Sequence, residues 1–188
     1  MEKIRAMGIG APCGNYYKGT IEHAANLVWA KGIVPLANMF VNELGIPVVV
    51  TNDAKAAAMG EMKYGVAVGM NNFVELTLGT GVGSGIVANG QLIYGFDGFA
   101  GELGHMIVEP DGRPCGCGRK GCLETYCSAT GVVRTAIAML EESSEATSVR
   151  DIATDKLTSY EVYKAAMAGD TMAQEVFKQT GRRIGIAC

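Results

Sequence analysis

Residues 101–124 read GELGHMIVEPDGRPCGCGRKGCLE, and no other stretch of the 188-residue chain carries as much chemistry in so little length. Nine residues separate His105 from Cys115, one separates Cys115 from Cys117, and four separate Cys117 from Cys122. Gly116, Gly118 and Gly121 stand between the thiols, where the backbone must turn tightly. One imidazole and three thiolates make the ligand set of a closed tetrahedral zinc site, with no position open for Lewis-acid chemistry. Such a metal staples a loop. The spacing therefore predicts a structural zinc held by His105, Cys115, Cys117 and Cys122. A disulfide is the competing reading. Between Cys115 and Cys117 it would be strained, and nothing at the amino end reads as a signal peptide, so a reducing, cytoplasmic setting is expected. Cys127 is the rival thiolate, although its surroundings read as the start of a helix.

On the carboxyl side of this stretch, Val132, Val133, Ala136, Ile137 and Leu140 recur at helical spacing after Gly131. Residues 141–147 are polar and acidic, the nearest thing to a linker. Thr158-Ser159-Tyr160-Glu161 is a capping-box pattern that opens a second helix. Gly169 ends that helix, and Asp170 or Thr171 starts a third, which reaches Cys188 without a cap.

On the amino side, residues 73–78 alternate as a strand does, then comes Gly79-Thr80-Gly81-Val82-Gly83-Ser84-Gly85, then a second strand at 86–88. Asn89-Gly90 is a two-residue hairpin signal, with 91–94 returning. Glycines at this density let successive N–H groups approach an anion. No Gly-Lys-Ser/Thr follows, so the loop is not a P-loop, and the strand after it argues against a dinucleotide fingerprint. A plain glycine hairpin without a ligand fits the residues as well.

Further back, residues 48–51 (VVVT) form a β-branched strand expected to be parallel and central. Asn52 and Asp53 sit at its carboxyl end, ahead of a small-residue helix over 54–62. Ligands of open α/β sheets bind at the carboxyl ends of strands, yet either residue also suits a helix cap. Ile33, Leu36, Ala37, Phe40, Val41 and Leu44 recur at helical spacing and predict a core-facing helix stopped by Gly45. Residues 4–9 read as a short buried strand with no neighbour before it, as expected of a sequence that begins inside a domain. Gly14 and Asn26 read as a turn glycine and a turn asparagine.

Apolar residues make up 48% of the chain, so a globular core is expected, in one or two domains. The net charge of −3 offers no basic face for nucleic acid, and no apolar run has the length of a membrane span.

The run G-E-L-G-H followed by C-G-C-G-x-x-G-C-L-E resembles the zinc and sugar-binding segment of the ROK family, which comprises bacterial sugar kinases, chiefly glucokinases, and sugar-responsive repressors. T-N-D-A-x-A-A-A and L-G-T-G-V-G-S-G resemble two further motifs of its kinases. The resemblance implies an α/β fold of the actin-like, hexokinase-type ATPase (ribonuclease H-like) kind with a structural zinc loop. It implies Asp53 as catalytic base, and Asn52, Asp53, Glu102, His105, Glu124, Gly14 and Asn26 as sugar-binding residues. Gly79, Thr80, Gly81 and Gly83 would meet the phosphates of ATP, with Mg²⁺ carried by the nucleotide. His105 would use one ring nitrogen on zinc and the other on the sugar, the metal fixing the ring.

The family's first phosphate motif, D-x-G-G-T, and its adenosine segment are not found, so the fold is expected to be incomplete. Residues 1–53 would be the remnant of a small domain and 54–188 most of a large one. Within the family, the G-N-Y-Y loop and E-T-Y-C-S-A-T-G resemble a glucokinase, with glucose expected as substrate; the resemblance to the family implies a dimer or tetramer. The alternatives are an inactive sugar- and zinc-binding fragment and part of a sugar-sensing repressor.

Overall fold

The structure, a computed structural model, describes residues 4–24 and 27–188. Contacts group the chain into two units. One holds the chain up to Thr77 together with Gly83–Glu102, and the other holds Leu78–Val82 with Leu103–Cys188. The 53/54 boundary expected from sequence falls inside the first unit.

In the first unit, strand β1 (Met7–Gly10) pairs in parallel with β5 (Val48–Thr51), from Met7 opposite Val48 to Gly10 opposite Thr51. The parallel expectation for 48–51 holds. The fully buried strand at 4–9 does not: only alternate residues of β1 are sheltered, and Ile4 is 76% exposed. Among the described residues β1 has β5 as its one neighbour, and a two-stranded sheet shelters alternate side chains rather than all of them.

An antiparallel meander follows, with β2 (Gly14–Asn15), β3 (Thr20–Glu22) and β4 (Ile33–Val34). This corrects the helix expected from Ile33. Ile33 and Val34 pair with Glu22 and Ile21, because the proline ring of Pro35 disfavours helical backbone in the residue before it. Helix α1 therefore begins at Leu36 and runs to Leu44. Gly45 closes it as expected, at φ +64° with its N–H on the Val41 carbonyl. Leu36 and Ala37 join the core with Ala11, Ile21 and Val50, while Val41 and Leu44 stay exposed.

Helix α2 (Asp53–Tyr64) leaves the carboxyl end of β5 directly. The three-stranded sheet β6 (Phe73–Leu78), β7 (Val82–Ala88) and β8 (Gln91–Leu92) contains the expected tight turn, with Asn89 and Gly90 both at positive φ, +53° and +72°. The returning strand is shorter than 91–94. Tyr94 leaves it to stack on Tyr16, ring centroids 4.4 Å apart. Gly83 and Gly85 face Ala54 and Ala58 of α2, and any Cβ on either glycine would collide with those methyl groups. Helix and strand thus pack backbone to backbone.

The second unit is mainly helical. Short α3 (Glu124–Cys127) leads into α4 (Ala129–Glu142), α5 (Ser159–Met167) and α6 (Thr171–Ala187). Val132, Ala136, Val149, Val162, Ala173 and Val176 form its core. Helix α4 starts ahead of Gly131, because the Ser128 hydroxyl accepts the Gly131 N–H at 3.0 Å and caps it there. The other caps are those read from sequence: Thr158 accepts from the Glu161 N–H and Asp170 from the Ala173 N–H. Among the described residues no helix is long and apolar enough to cross a membrane.

Candidate functional site

The loop after the Leu103–His105 turn brings His105, Cys115, Cys117 and Cys122 together, all four ligand atoms lying within 4.8 Å of one another. Two isolated antiparallel bridges, Ile107 with Cys122 and Pro114 with Lys120, draw the ends of the loop together. Gly118 and Gly121 take positive φ, +87° and +74°, and any side chain on Gly121 would strike the Glu109 carbonyl. The Sγ atoms of Cys117 and Cys122 are 3.6 Å apart, and Cys115 Sγ is 3.7 Å from His105 Nδ1. Edges of about 3.8 Å are what a tetrahedron with Zn–S bonds of ~2.3 Å requires.

The cluster is electrostatically mixed. The backbone N–H of Arg119, helped by its side chain, holds the Cys117 thiol down to about 6. Burial pushes the Cys115 thiol up. Donor set and spacing therefore fit a zinc ion, which the four residues would hold in a closed site. Cys127 is elsewhere: it is buried, with its thiol on the Thr180 carbonyl at 3.5 Å.

Glu124, the first residue of α3, lies beside this cluster. The Cys115 thiol donates to its Oε1 at 2.9 Å, and His105 Nδ1 lies 3.7 Å from the same oxygen. A metal on Cys115 takes the place of that thiol proton and frees Oε1 for another donor. His105 turns Nδ1 toward the cysteines, which leaves Nε2 on the far side of the ring. The loop Leu78–Val82 belongs to the same unit. The Gly79 carbonyl accepts the Ala129 N–H at 2.8 Å, and a Cβ on Gly81 would come within 2.9 Å of Glu124 Oε2. Gly79 and Gly81 thus lie against the start of α4 and Glu124, and Thr80 is exposed.

In the first unit, the carboxyl end of β5 presents Asn52 and Asp53. The cap of α2 falls to Asn52, whose Oδ1 accepts from the Ala54 and Lys55 N–H groups at 2.9 and 3.2 Å. Asp53, the first helical residue, is exposed, with Oδ1 on the Ala54 N–H at 3.0 Å. Gly14 packs against the Thr51 carbonyl so closely that a side chain has no room. Gly83 has the packing role against Ala54 given above. Asn26 lies outside the described residues.

Two residues of this unit were not foreseen. Asn15 is fully buried; its amide donates to the Asp97 carbonyl at 2.9 Å and accepts from the Tyr17 and Lys18 N–H groups. Lys55 is buried to 1% exposure, with Nζ 3.3 Å from the Gly98 carbonyl and 3.9 Å from Glu102 Oε1. Its one signal in the sequence is a lone charge within the alanine run of α2.

Comparison with known proteins adds the following. The ROK family matches over residues 1–188. A glucokinase of Halalkalibacterium halodurans is 44% identical over 186 residues, covering 96% of this chain and 55% of that protein. A ROK family glucokinase from Streptomyces griseus, solved in complex with glucose and AMPPNP, superposes with a TM-score of 0.83 at 36% identity, over 98% of this chain and 60% of that one. A ROK family transcriptional regulator, a homologue of the E. coli MLC protein, superposes with a TM-score of 0.88 at 28% identity, over 100% of this chain and 46% of that one. The chain thus spans little more than half the length of the glucokinases it matches.

Proposed function

The chain belongs to the ROK family, and on that premise we propose that it serves ATP-dependent phosphorylation of a hexose, glucose first, with Asp53 as the general base. The observation that carries this reading is the division of labour at the carboxyl end of β5: Asn52 caps α2, and Asp53 stands exposed beside it. In the reaction the Asp53 carboxylate takes the proton of a sugar hydroxyl as the O–P bond forms and the bond from the γ-phosphorus to the bridging oxygen breaks. ADP departs with that oxygen. Asn52, Glu102, His105 and Glu124 hold the sugar hydroxyls, with Gly14 and Asn26 as further contacts. Gly79, Thr80, Gly81 and Gly83 would attend the phosphates of ATP, with Mg²⁺ carried by the nucleotide. Zinc, when bound, fixes the orientation of the His105 ring and stays out of the reaction. In this reading, residues 1–53 belong to the smaller lobe and 54–188 to the larger.

The test is ATP-dependent phosphate transfer to a panel of hexoses by the full-length protein carrying this sequence. Turnover of glucose supports the proposal. The likeness to a ROK transcriptional regulator favours one second reading, a sugar sensor built on the same site. Glucose binding without any turnover on the panel would select that reading over the kinase.

A further inference from the structure

We infer that Lys55 is a positioning residue that holds Glu102 for the sugar, which rests on the reading of Glu102 as an acceptor for sugar hydroxyls. Among the described residues Lys55 is the largest of the fully buried side chains. A buried ammonium is costly unless something nearby uses its charge. Here that charge is enclosed at 1% exposure, while the carboxylate it meets at 3.9 Å is 44% exposed. The cation thus backs Glu102 from the protein side, and the open side of the carboxylate faces outward, where a ligand can reach it. Burial pulls the ammonium below its usual range, and Glu102 and then Asp97 work against that pull.

The rest of the 97–102 segment is pinned in the same way. Asn15 of β2 donates to the Asp97 carbonyl, Lys55 of α2 to the Gly98 carbonyl, and Ser84 of β7 to the Gly101 carbonyl. Gly98 and Gly101 both take positive φ, +92° and +82°, a backbone that glycine adopts freely and that the contacts from outside must hold in place. Of the three side chains that pin it, Lys55 alone carries charge, and it stands two residues beyond Asp53 on the same helix. Base and sugar acceptor are therefore placed by one element.

The experiment is a double-mutant cycle in the full-length protein, reading glucose Kd by calorimetry with KM and kcat alongside. Lys55→Met is expected to weaken glucose binding about tenfold in the wild-type background and less than about twofold in a Glu102→Gln background. KM should rise in step with Kd, while kcat changes less than about threefold. Thermal melting and bound zinc report whether each variant is folded. If Lys55→Met fails to fold, Lys55→Gln, which keeps a donor for the Gly98 carbonyl but removes the charge, closes the same cycle. Losses that add across the cycle, or a Lys55 variant that binds glucose as the wild type does, would overturn the inference and leave the sugar-site reading standing. A wild-type protein that binds no hexose would overturn both.

Discussion

The loop 105–122 and the segment 97–102 both carry candidate residues, yet they are ordered by opposite means. The loop is held by its own residues: four metal-type ligands within 17 positions of one another, two bridges and two glycines at positive φ. The segment is held from outside, by Asn15 reaching across 82 positions, Lys55 across 43 and Ser84 across 17. Local order of the first kind would be completed by an ion held on those four ligands. Order of the second kind depends on buried polar groups, each costly to leave unpaired.

The largest effect that would break this contrast is loss of the metal. Chelation, or Cys122→Ser, should release zinc and make amide hydrogen exchange fast over 105–122. The amides of 97–102 should stay protected, and glucose affinity should fall because the His105 ring is no longer held. Exchange mass spectrometry with metal analysis checks this; equal loosening of both stretches would mean they are one cooperative unit. The converse variant is Asn15→Ala. It leaves the Asp97 carbonyl and the Tyr17 and Lys18 N–H groups without the Asn15 amide, at a cost of about 3 kcal/mol in urea unfolding. Its zinc content should be unchanged.

Asp170 sharpens the comparison at an intermediate scale, because it caps its own helix and also receives the Thr147 hydroxyl and the Ser148 hydroxyl and N–H. Burial works to raise this carboxyl, but the N–H of Ala173 and the Thr147 and Ser148 donors outweigh it and hold it down to about 2. Its folded value lies below its unfolded one. The stabilisation is therefore complete above about pH 4 to 5 and is lost as the pH falls through 2, about 1 kcal/mol in all once solvent screening of this partly exposed group is allowed for. The stability gap between wild type and Asp170→Asn should shrink by about two thirds of that amount between pH 6 and pH 2.5, read from denaturant midpoints.

This contrast also explains what was legible in the sequence. The zinc set could be read because its ligands and glycines are close in the chain. So could the Asn89-Gly90 turn, the Gly45 stop and the caps at Thr158 and Asp170, all of them local signals. Lys55 could not, since a lysine on a helix is ordinarily solvated, and its burial comes from partners 43 and 47 positions away. Asn15 was hidden for the same reason. The helix read from Ile33 fails against a local signal that apolar periodicity does not weigh: Pro35 disfavours helical backbone at Val34, and Ile33 and Val34 pair instead with Glu22 and Ile21. For Gly83 the resemblance implies a phosphate contact, and the packing of α2 on β7 shows a second demand on that position that periodicity does not reveal.

The measurement closest to the central claim compares the full-length protein with its Asp53→Asn variant in glucose phosphorylation by ATP, with glucose affinity determined on the same samples. The account predicts a loss in kcat of about 10³-fold, with glucose Kd changed by less than about tenfold and zinc retained. A variant that phosphorylates glucose at the wild-type rate would remove Asp53 from the chemistry and contradict the account.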